Sequence, residues 1–100
     1  MKLHEIEIDD TRLAQFCRRN GIRELLFFGS ITRSDFRPDS DIDVIVHFNG
    51  VDNLGLFELG RLQLELTELF GRQVHLHTDD MIHPYLRNRI RRSAQVAYAA

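Results

Sequence analysis

The sequence has one cysteine, two prolines and no tryptophan among its 100 residues. Cys17 has no second thiol in the chain, so an internal disulfide is excluded, and its position on the apolar stripe of a predicted helix favours a small core residue. No apolar run approaches the length that a membrane-spanning helix requires, and the segment from Met1 to Glu5 is too charged for a signal peptide. We therefore expect a cytoplasmic protein that does not bind a membrane.

A large charge of one sign is also lacking. The formal net charge of −2 provides no general attraction to polyanions, so we do not expect direct binding to nucleic acid. The hydrophobic content of 43% and the charged content of 28% are typical of globular domains. A chain of 100 residues is long enough for one hydrophobic core and too short for two. The sequence therefore predicts a single domain over residues 1–100.

Apolar periodicity and turn residues predict alternating helices and strands. In chain order these are a helix from Asp9 or Asp10 to Asn20, a strand over 24–28, a short helix over 31–35, a strand over 41–48, a helix capped by Asp52 or Asn53 and stopped at Gly71, a strand over 73–77, a helix over 84–92 and an extended segment over 96–98. This order predicts an α+β fold in which a short mixed sheet is flanked by helices.

Two short motifs, Gly29-Ser30 and Asp41-Ile42-Asp43, are separated by ten residues. Gly29 permits close approach of the backbone to a ligand, and the Ser30 hydroxyl can donate a hydrogen bond to a phosphate oxygen. Asp41 and Asp43 share one face of the predicted strand because successive side chains alternate, whereas Ile42 points into the core. Two carboxylates beside a phosphate-sized turn suit a divalent metal ion and a nucleoside triphosphate.

A helix that begins at this turn would favour an anion, because its first N–H groups are free and its dipole is positive there. Arg33 would then lie near the same anion, about one turn further along the chain. The alternative is that Asp41 belongs to a turn together with Asp39 and Ser40, and that Asp43 is solvated on an exposed strand face.

The two motifs at this spacing resemble the signature of the DNA polymerase beta-like nucleotidyltransferase superfamily. The short length, the run from Arg33 through Pro38-Asp39-Ser40-Asp41, and the closing Pro84-Tyr85-Leu86-Arg87 are similar to the minimal nucleotidyltransferase (MNT) domains. These are small stand-alone proteins that are usually paired with a HEPN-domain partner. The resemblance extends from the first predicted helix to Tyr98 and implies a polymerase beta-like nucleotidyltransferase fold.

The resemblance also implies roles for individual residues. The implied ligands are Gly29, Ser30, Arg33 and Ser40 for ATP, and the catalytic residues Asp41 and Asp43 for two Mg²⁺ ions. The implied reaction is transfer of AMP from ATP to a hydroxyl group, with pyrophosphate leaving. MNT proteins paired with HEPN toxins act as antitoxins, and some attach AMP to a tyrosine of the toxin. We therefore expect a HEPN ribonuclease toxin as the partner and a tyrosine hydroxyl as the acceptor.

One position departs from the superfamily pattern, which usually has a third acidic residue on the next strand. The matching position holds His75, and imidazole is a poorer Mg²⁺ ligand than a carboxylate. His75 could bind a softer ion such as Mn²⁺ or act as a neutral general base. Asp79 or Asp80 could instead supply the third acid. A catalytically weak antitoxin that neutralises its toxin by binding, and an RNA-directed nucleotidyltransferase subunit, are the alternative functions.

Two further groups of residues remain outside this scheme. A basic cluster in the last predicted helix consists of Arg87, Arg89, Arg91 and Arg92. Arginine is favoured near helix C-termini, and a surface for an acidic partner or RNA is the alternative. Three apolar residues fall off the buried stripe of the preceding helix: Leu54, Phe57 and Leu64. They suggest an oligomer or partner surface. His4 and His47 carry no functional signal.

Overall fold

Residues 1–50 and 54–100 are described by the computed structural model, and within them three α-helices surround a four-stranded sheet. The elements in chain order are β1 (Lys2–Leu3), β2 (Ile6–Glu7), α1 (Asp10–Arg19), β3 (Ile22–Phe28), a first 3-10 helix (Gly29–Thr32), β4 (Ile42–Phe48), α2 (Leu56–Phe70), β5 (Val74–His77), a second 3-10 helix (Asp79–Met81), α3 (Pro84–Ser93) and β6 (Gln95–Ala99). The α+β class with a mixed sheet confirms the prediction.

The main sheet has the strand order β5-β4-β3-β6. β3 is antiparallel to both β4 and β6, whereas β5 is parallel to β4. A parallel pair requires a long crossover connection, and α2 lies within the connection between β4 and β5. β1 and β2 form a separate antiparallel hairpin before α1.

One face of the sheet carries the hydrophobic core, because apolar residues alternate along the strands and the helices α1 and α2 contribute apolar stripes. The buried side chains on this side include Leu25, Phe27, Val44, Val46, Val74 and Leu76 from the sheet, and Leu13, Phe16, Cys17, Leu62, Leu66 and Phe70 from the helices. Burial raises the pKa of the Cys17 thiol to about 12, as expected of a core cysteine. The intervening strand residues must therefore point to the other face.

The other face of the sheet is partly polar. Leu26 and Ile45 are directly paired there and buried, and Ile82, which lies just before α3, is also buried. Asp43 and His47 alternate with buried residues along β4 and are only half-buried. This polar side carries the residues that the sequence singles out for chemistry.

The helix ends follow from local sequence. Asp9 caps α1 by accepting a hydrogen bond from the Arg12 backbone N–H at 3.1 Å. α2 ends at Gly71, whose φ of 70° lies in the left-handed region, as the sequence predicts for a C-terminal glycine. The predicted caps of this helix, Asp52 and Asn53, lie outside the described residues, and α2 begins after Gly55.

The outer edge of β5 is covered by side chains of α2. Thr67 Oγ1 accepts a hydrogen bond from the Val74 backbone N–H at 3.1 Å, and Gln63 Oε1 accepts one from the Leu76 N–H at 3.0 Å. These two N–H groups point away from β4, so without the helix they would be unpaired. The helix thus replaces a fifth strand at this edge.

Two sequence predictions about the segment between β3 and β4 are wrong. The short helix predicted over 31–35 is instead a 3-10 helix that ends at Thr32, and Arg33 is already extended, with φ −114° and ψ 159°. The helix stops because the Thr32 hydroxyl donates to the Gly29 carbonyl at 2.7 Å and the Arg33 N–H donates to the Ser30 backbone carbonyl at 3.0 Å, which closes a tight turn. Asp41 lies just before β4 rather than within it. The N-terminal hairpin was not predicted.

The structure agrees with the prediction that three apolar residues lie off the buried stripe of α2. The off-stripe residues Leu54, Phe57 and Leu64 are exposed, and Phe57 keeps 95% of its surface accessible. Their role as a partner surface stays a prediction. No helix among the described residues is long and apolar enough to cross a membrane.

Alanine substitution at Gly60, inside α2, and at Gly71, directly after it, should have opposite effects on stability. Gly71→Ala should lower the free energy of unfolding by about 1–2 kcal/mol, because a φ of 70° is strained for a residue with a Cβ. Gly60→Ala, in the helix interior, should raise it by about 0.5–1 kcal/mol. Neither Cβ would meet an atom within 4 Å, so only backbone preference differs. Urea denaturation measures both, and changes of the same sign would contradict this account.

Candidate active site

Three strands bring the predicted site residues together at one edge of the polar face. Gly29 directly follows β3, and Phe28, the last residue of that strand, is paired with Asp43 on β4. Asp43 is paired on its other side with His75 on β5. Asp41 precedes the first residue of β4 and lies at the same edge. The register of the sheet, and not proximity in sequence, therefore places the turn, the carboxylates and the histidine side by side.

Gly29 lies close against the Asp43 carboxylate. A Cβ added at Gly29 would lie 2.9 Å from Asp43 Oδ2, closer than real Cβ contacts allow. The φ of 77° at Gly29 independently disfavours any other residue. The sequence predicts that this glycine lets a ligand approach the backbone, and in the structure it also leaves room for the Asp43 carboxylate.

His75 contacts Asp41 directly. Its Nε2 lies 2.8 Å from Asp41 Oδ2, and each side chain keeps nearly half of its surface accessible, 46% for His75 and 49% for Asp41. Because a carboxylate oxygen accepts, Nε2 carries the hydrogen in this contact, and Nδ1 is the acceptor when the ring is neutral. The contact uses only Oδ2, so Oδ1 of Asp41 can bind another group. Asp41 and His75 thus form an exposed carboxylate–imidazole pair.

His77 forms a second, looser pair with Asp43. His77 Nε2 lies 3.5 Å from Asp43 Oδ1, within reach of a charge interaction, but this buried nitrogen makes no hydrogen bond with the described residues. The His77 ring meets the Phe28 ring edge-on at 5.1 Å between centroids. Sequence reasoning gave His77 no role. The available signal was the His-x-His spacing on β5, which matches the Asp-x-Asp spacing beside β4.

The other predicted nucleotide ligands have partners of their own. Arg33 Nε donates to Asp35 at 3.2 Å, and both side chains are exposed. Ser40 Oγ accepts a hydrogen bond from the Arg37 backbone N–H at 3.1 Å. The Ser40 hydroxyl hydrogen remains available to donate. Both residues lie on the segment between the two motifs. Within the described residues, neither makes a side-chain hydrogen bond to Asp41 or Asp43.

Asp79, one alternative for the missing third acid, belongs to a different cluster. It accepts hydrogen bonds from His47 Nε2 at 3.2 Å and from Arg91 at 3.0 Å, and His47 Nδ1 contacts Glu24 at 2.8 Å. Burial raises the pKa of Asp79, but hydrogen bonding and charge from His47, with Arg91 adding to them, outweigh burial and lower it. His47 lies at the opposite end of β4 from Asp41. This cluster fastens α3 to the sheet, and Asp80 is exposed beside it.

The arrangement fits a metal ion that is held jointly with a substrate. No group of three or more Asp, Glu, His or Cys side chains forms a metal-binding cluster within residues 1–50 and 54–100. Mg²⁺ is commonly bound by one or two carboxylates together with substrate phosphates and water. Asp41 and Asp43 offer such hard oxygen ligands beside the Gly29-Ser30 turn. The donors present therefore suit Mg²⁺ or Mn²⁺ in a complex with a phosphate compound.

Comparison with known sequences identifies relatives over most of the chain. The family model described as nucleotidyltransferase domain matches residues 11–97. A protein of Methanocaldococcus jannaschii, named as a candidate protein adenylyltransferase, is 33% identical over 90 residues, which cover 90% of this chain and 91% of that protein. Protein adenylyltransferase MntA of Thermococcus cleftensis is 31% identical over 91 residues, with 90% and 86% of the two chains covered.

Solved structures share the fold. A structure described as a candidate minimal nucleotidyltransferase superimposes with a TM-score of 0.71 at 31% identity, covering 86% of each chain. A toxin–antitoxin complex with AMP-PNP gives a TM-score of 0.74 at 18% identity over 93% of this chain and 75% of the other. A complex of a tri-AMPylated HEPN toxin with an MNT antitoxin, from Shewanella oneidensis, gives 0.65 at 17% identity over 91% and 70%. The last two comparisons carry information on fold alone.

Two glycines at positive φ allow the effect of the Gly29–Asp43 contact on stability to be measured separately from the effect of backbone strain. Gly29→Ala and Gly21→Ala both place a Cβ at positive φ, 77° and 67°, but only the first would meet another side chain. Both should lower the free energy of unfolding by about 1–2 kcal/mol, and Gly29→Ala should cost about 1 kcal/mol more because Asp43 must move.

In an Asp43→Ala background the additional cost at Gly29 should disappear, whereas the cost at Gly21 should not change. Urea denaturation of the wild type and the five variants (the two glycine variants, Asp43→Ala and the two double variants) gives two double-mutant cycles that share Asp43→Ala. Equal costs at the two glycines in the wild-type background would show that the Asp43 carboxylate does not require Gly29.

Proposed function

The chain belongs to the nucleotidyltransferase domain family, and from this premise we propose that it transfers AMP from ATP to a hydroxyl group of a partner protein. The observation that carries the proposal is that Asp43 lies against the Gly29-Ser30 turn while its neighbour Asp41 contacts His75, the residue paired with Asp43. The relatives named as protein adenylyltransferases, at 31–33% identity over 90% of the chain, support the class of acceptor.

In the proposed reaction the acceptor oxygen forms a bond to the α-phosphorus of ATP. The bond from that phosphorus to the oxygen bridging the α- and β-phosphates breaks, pyrophosphate leaves with the electron pair, and the hydroxyl proton passes to a base. Asp41 and Asp43 would hold Mg²⁺ or Mn²⁺ together with the triphosphate, whose negative charge the bound ion offsets. The remaining tasks are to orient the phosphates and to accept the proton.

The turn and the following segment are suited to bind the phosphates. Ser30 and Ser40 each carry a hydroxyl hydrogen that can be donated to a phosphate oxygen. Arg33 would have to leave Asp35, but exposed ion pairs contribute only about 0–1 kcal/mol, so the exchange for a phosphate costs little. These three residues and Gly29 make up the proposed nucleotide site.

His75 is the proposed base. Its contact with Asp41 fixes the Nε2–H tautomer when the ring is neutral and leaves Nδ1 as the proton acceptor. Asp41 can serve both functions because Oδ1 is not used in the contact with His75. The histidine would therefore take over part of the work of a third acid.

We propose further that the acceptor is a tyrosine hydroxyl of a HEPN-domain toxin, and that the chain acts as its antitoxin. The S. oneidensis complex supports this proposal, since it pairs an AMPylated HEPN toxin with an MNT antitoxin of the same fold. A chain of 100 residues has little surface outside the site with which to select a substrate. Docking to a partner would supply that selection, in the cytoplasm where ATP is present.

Loss of either metal-binding carboxylate should abolish transfer. We expect Asp41→Asn and Asp43→Asn each to lower the rate of transfer about 1000-fold, since several kcal/mol of charge stabilisation is lost. The measurement is incorporation of label from α-³²P-ATP into a co-purified partner. Asp39→Asn, at an exposed aspartate of the neighbouring turn, is the matched control and should change the rate less than about twofold. Undiminished transfer by the Asp41→Asn/Asp43→Asn double variant would refute the metal assignment.

A second candidate function is neutralisation of the toxin by binding, with little transfer. It is favoured by the identity of His75, which occupies the position of the third acid and contacts Asp41 with a nitrogen rather than offering an oxygen to a metal ion. The two candidates make different predictions for the same substitution. Both require the partner to bind.

His75→Asp separates the candidates. If His75 is the base, transfer should fall about 10–100-fold, because a carboxylate with a pKa near 3.9 is a weaker base than imidazole. The rate of transfer by His75→Gln should fall at least as far, because its side chain can still contact Asp41 but cannot accept the proton. The label-transfer assay measures both, and co-purification of the partner checks that binding is retained. A rise in transfer with His75→Asp would instead favour the second candidate.

A further inference from the structure

His4 adopts an unusual backbone conformation in the turn between β1 and β2. Its φ of 55° makes it the one non-glycine residue with positive φ among those that the structure describes. A side chain with a Cβ is disfavoured in this region, and such a conformation persists when surrounding contacts compensate for it. Those contacts all lead toward the proposed nucleotide site.

The first contact ties the hairpin to the phosphate turn. His4 Nε2 lies 2.8 Å from the backbone carbonyl oxygen of Ile31, 27 residues away in sequence. Since a carbonyl only accepts, Nε2–H is the donor. Ile31 is fully buried and belongs to the 3-10 helix that begins with Gly29 and Ser30. The imidazole thus reaches the turn from outside the sheet.

The second contact reaches the segment between the two motifs. The His4 ring stacks on the Phe36 ring, with 4.7 Å between centroids and 27° between planes. Arg72, just before β5, places its guanidinium 5.0 Å from the centre of the Phe36 ring and donates to the Arg37 carbonyl at 3.2 Å. Phe36 is half-buried and packs against the core. The segment is therefore held by both the N-terminal hairpin and the α2–β5 connection.

We propose that His4 is a positioning residue that sets the distance between the Gly29-Ser30 turn and Asp41. It touches neither motif but contacts Ile31 after the first and Phe36 before the second. Its importance for nucleotide binding rests on the proposed function, whereas its effect on the turn does not. Since misplacement of a binding group by about 1 Å costs as much as 100-fold in rate, a remote contact of this kind can control activity.

The variant His4→Gly tests the proposal because it separates position from stability. Glycine accepts a positive φ without strain, so the relief offsets part of the loss of both contacts, and Tm should stay within about 5 °C of wild type. Phe36→Leu keeps an apolar side chain but loses the stacking on His4. His83→Ala is the matched control, since His83 also uses its ring in a backbone contact, accepting from the Tyr85 N–H at 3.1 Å, in the first turn of α3.

The first measurement is the set of backbone amide NMR signals of Gly29, Ser30 and Asp41. We expect His4→Gly and Phe36→Leu to shift these signals, while His83→Ala leaves them at their wild-type positions. The second measurement is binding of the non-hydrolysable analogue AMP-PNP with Mg²⁺. We expect His4→Gly and Phe36→Leu to weaken this binding about tenfold and to raise KM for ATP more than they lower kcat.

Each outcome decides a separate question. Unmoved amide signals in His4→Gly, or equal shifts in His83→Ala, would overturn the positioning role whatever the function of the chain. Moved signals with unchanged nucleotide affinity would overturn its importance for nucleotide binding. Failure of the wild-type protein to bind AMP-PNP or to transfer label would count against the proposed function, and the amide signals would still decide whether His4 positions the turn.

Discussion

The close approach of the end of β3 to the first residues of β4 is the constraint on which the site depends. A Cβ at Gly29 would lie 2.9 Å from Asp43 Oδ2 and would require a φ of 77°, so glycine lets the turn and the carboxylate meet without displacement or backbone strain. The antiparallel pairing of Phe28 with Asp43 fixes that approach, and the parallel pairing of Asp43 with His75 adds the imidazole. One register error would move every one of these groups to the wrong face.

Because one face of the sheet is apolar and the other is partly polar, a chain of 100 residues can form a core on one face and hold the close approach of β3 to β4 on the other. Under α1 and α2 the core is continuous, and it holds the strands in register without any contribution from the site. On the opposite face, a small apolar cluster around Ile45 separates two polar clusters, one at Asp43 and one at His47. The first is partly exposed, and its carboxylates keep oxygens that can bind a ligand. The second is satisfied by Glu24, Asp79 and Arg91 and is structural.

The local parts of this structure could be predicted from the sequence, and the long-range parts could not. Alternation along β4 and the glycine after β3 are properties of neighbouring residues, so the carboxylate pair and its turn were identifiable. The His-x-His spacing of β5 is visible in the sequence, but the placement of His77 beside Asp43 depends on the register between β4 and β5, which is set by packing. The contacts of His47 and His4 join residues 23 and 27 positions apart, and neither histidine carried a signal. Two-residue strands such as β1 are too short to show a period.

The side chains of Gln63 and Thr67, which occupy the outer N–H groups of β5, have a consequence for association. A strand of another molecule could extend the sheet only by displacing these bonds, so this border resists the edge-to-edge growth that leads to aggregates. The histidines of β5 thus stand at a border closed to strand addition. A molecule that approaches these histidines from this side therefore cannot dock by adding a strand to β5.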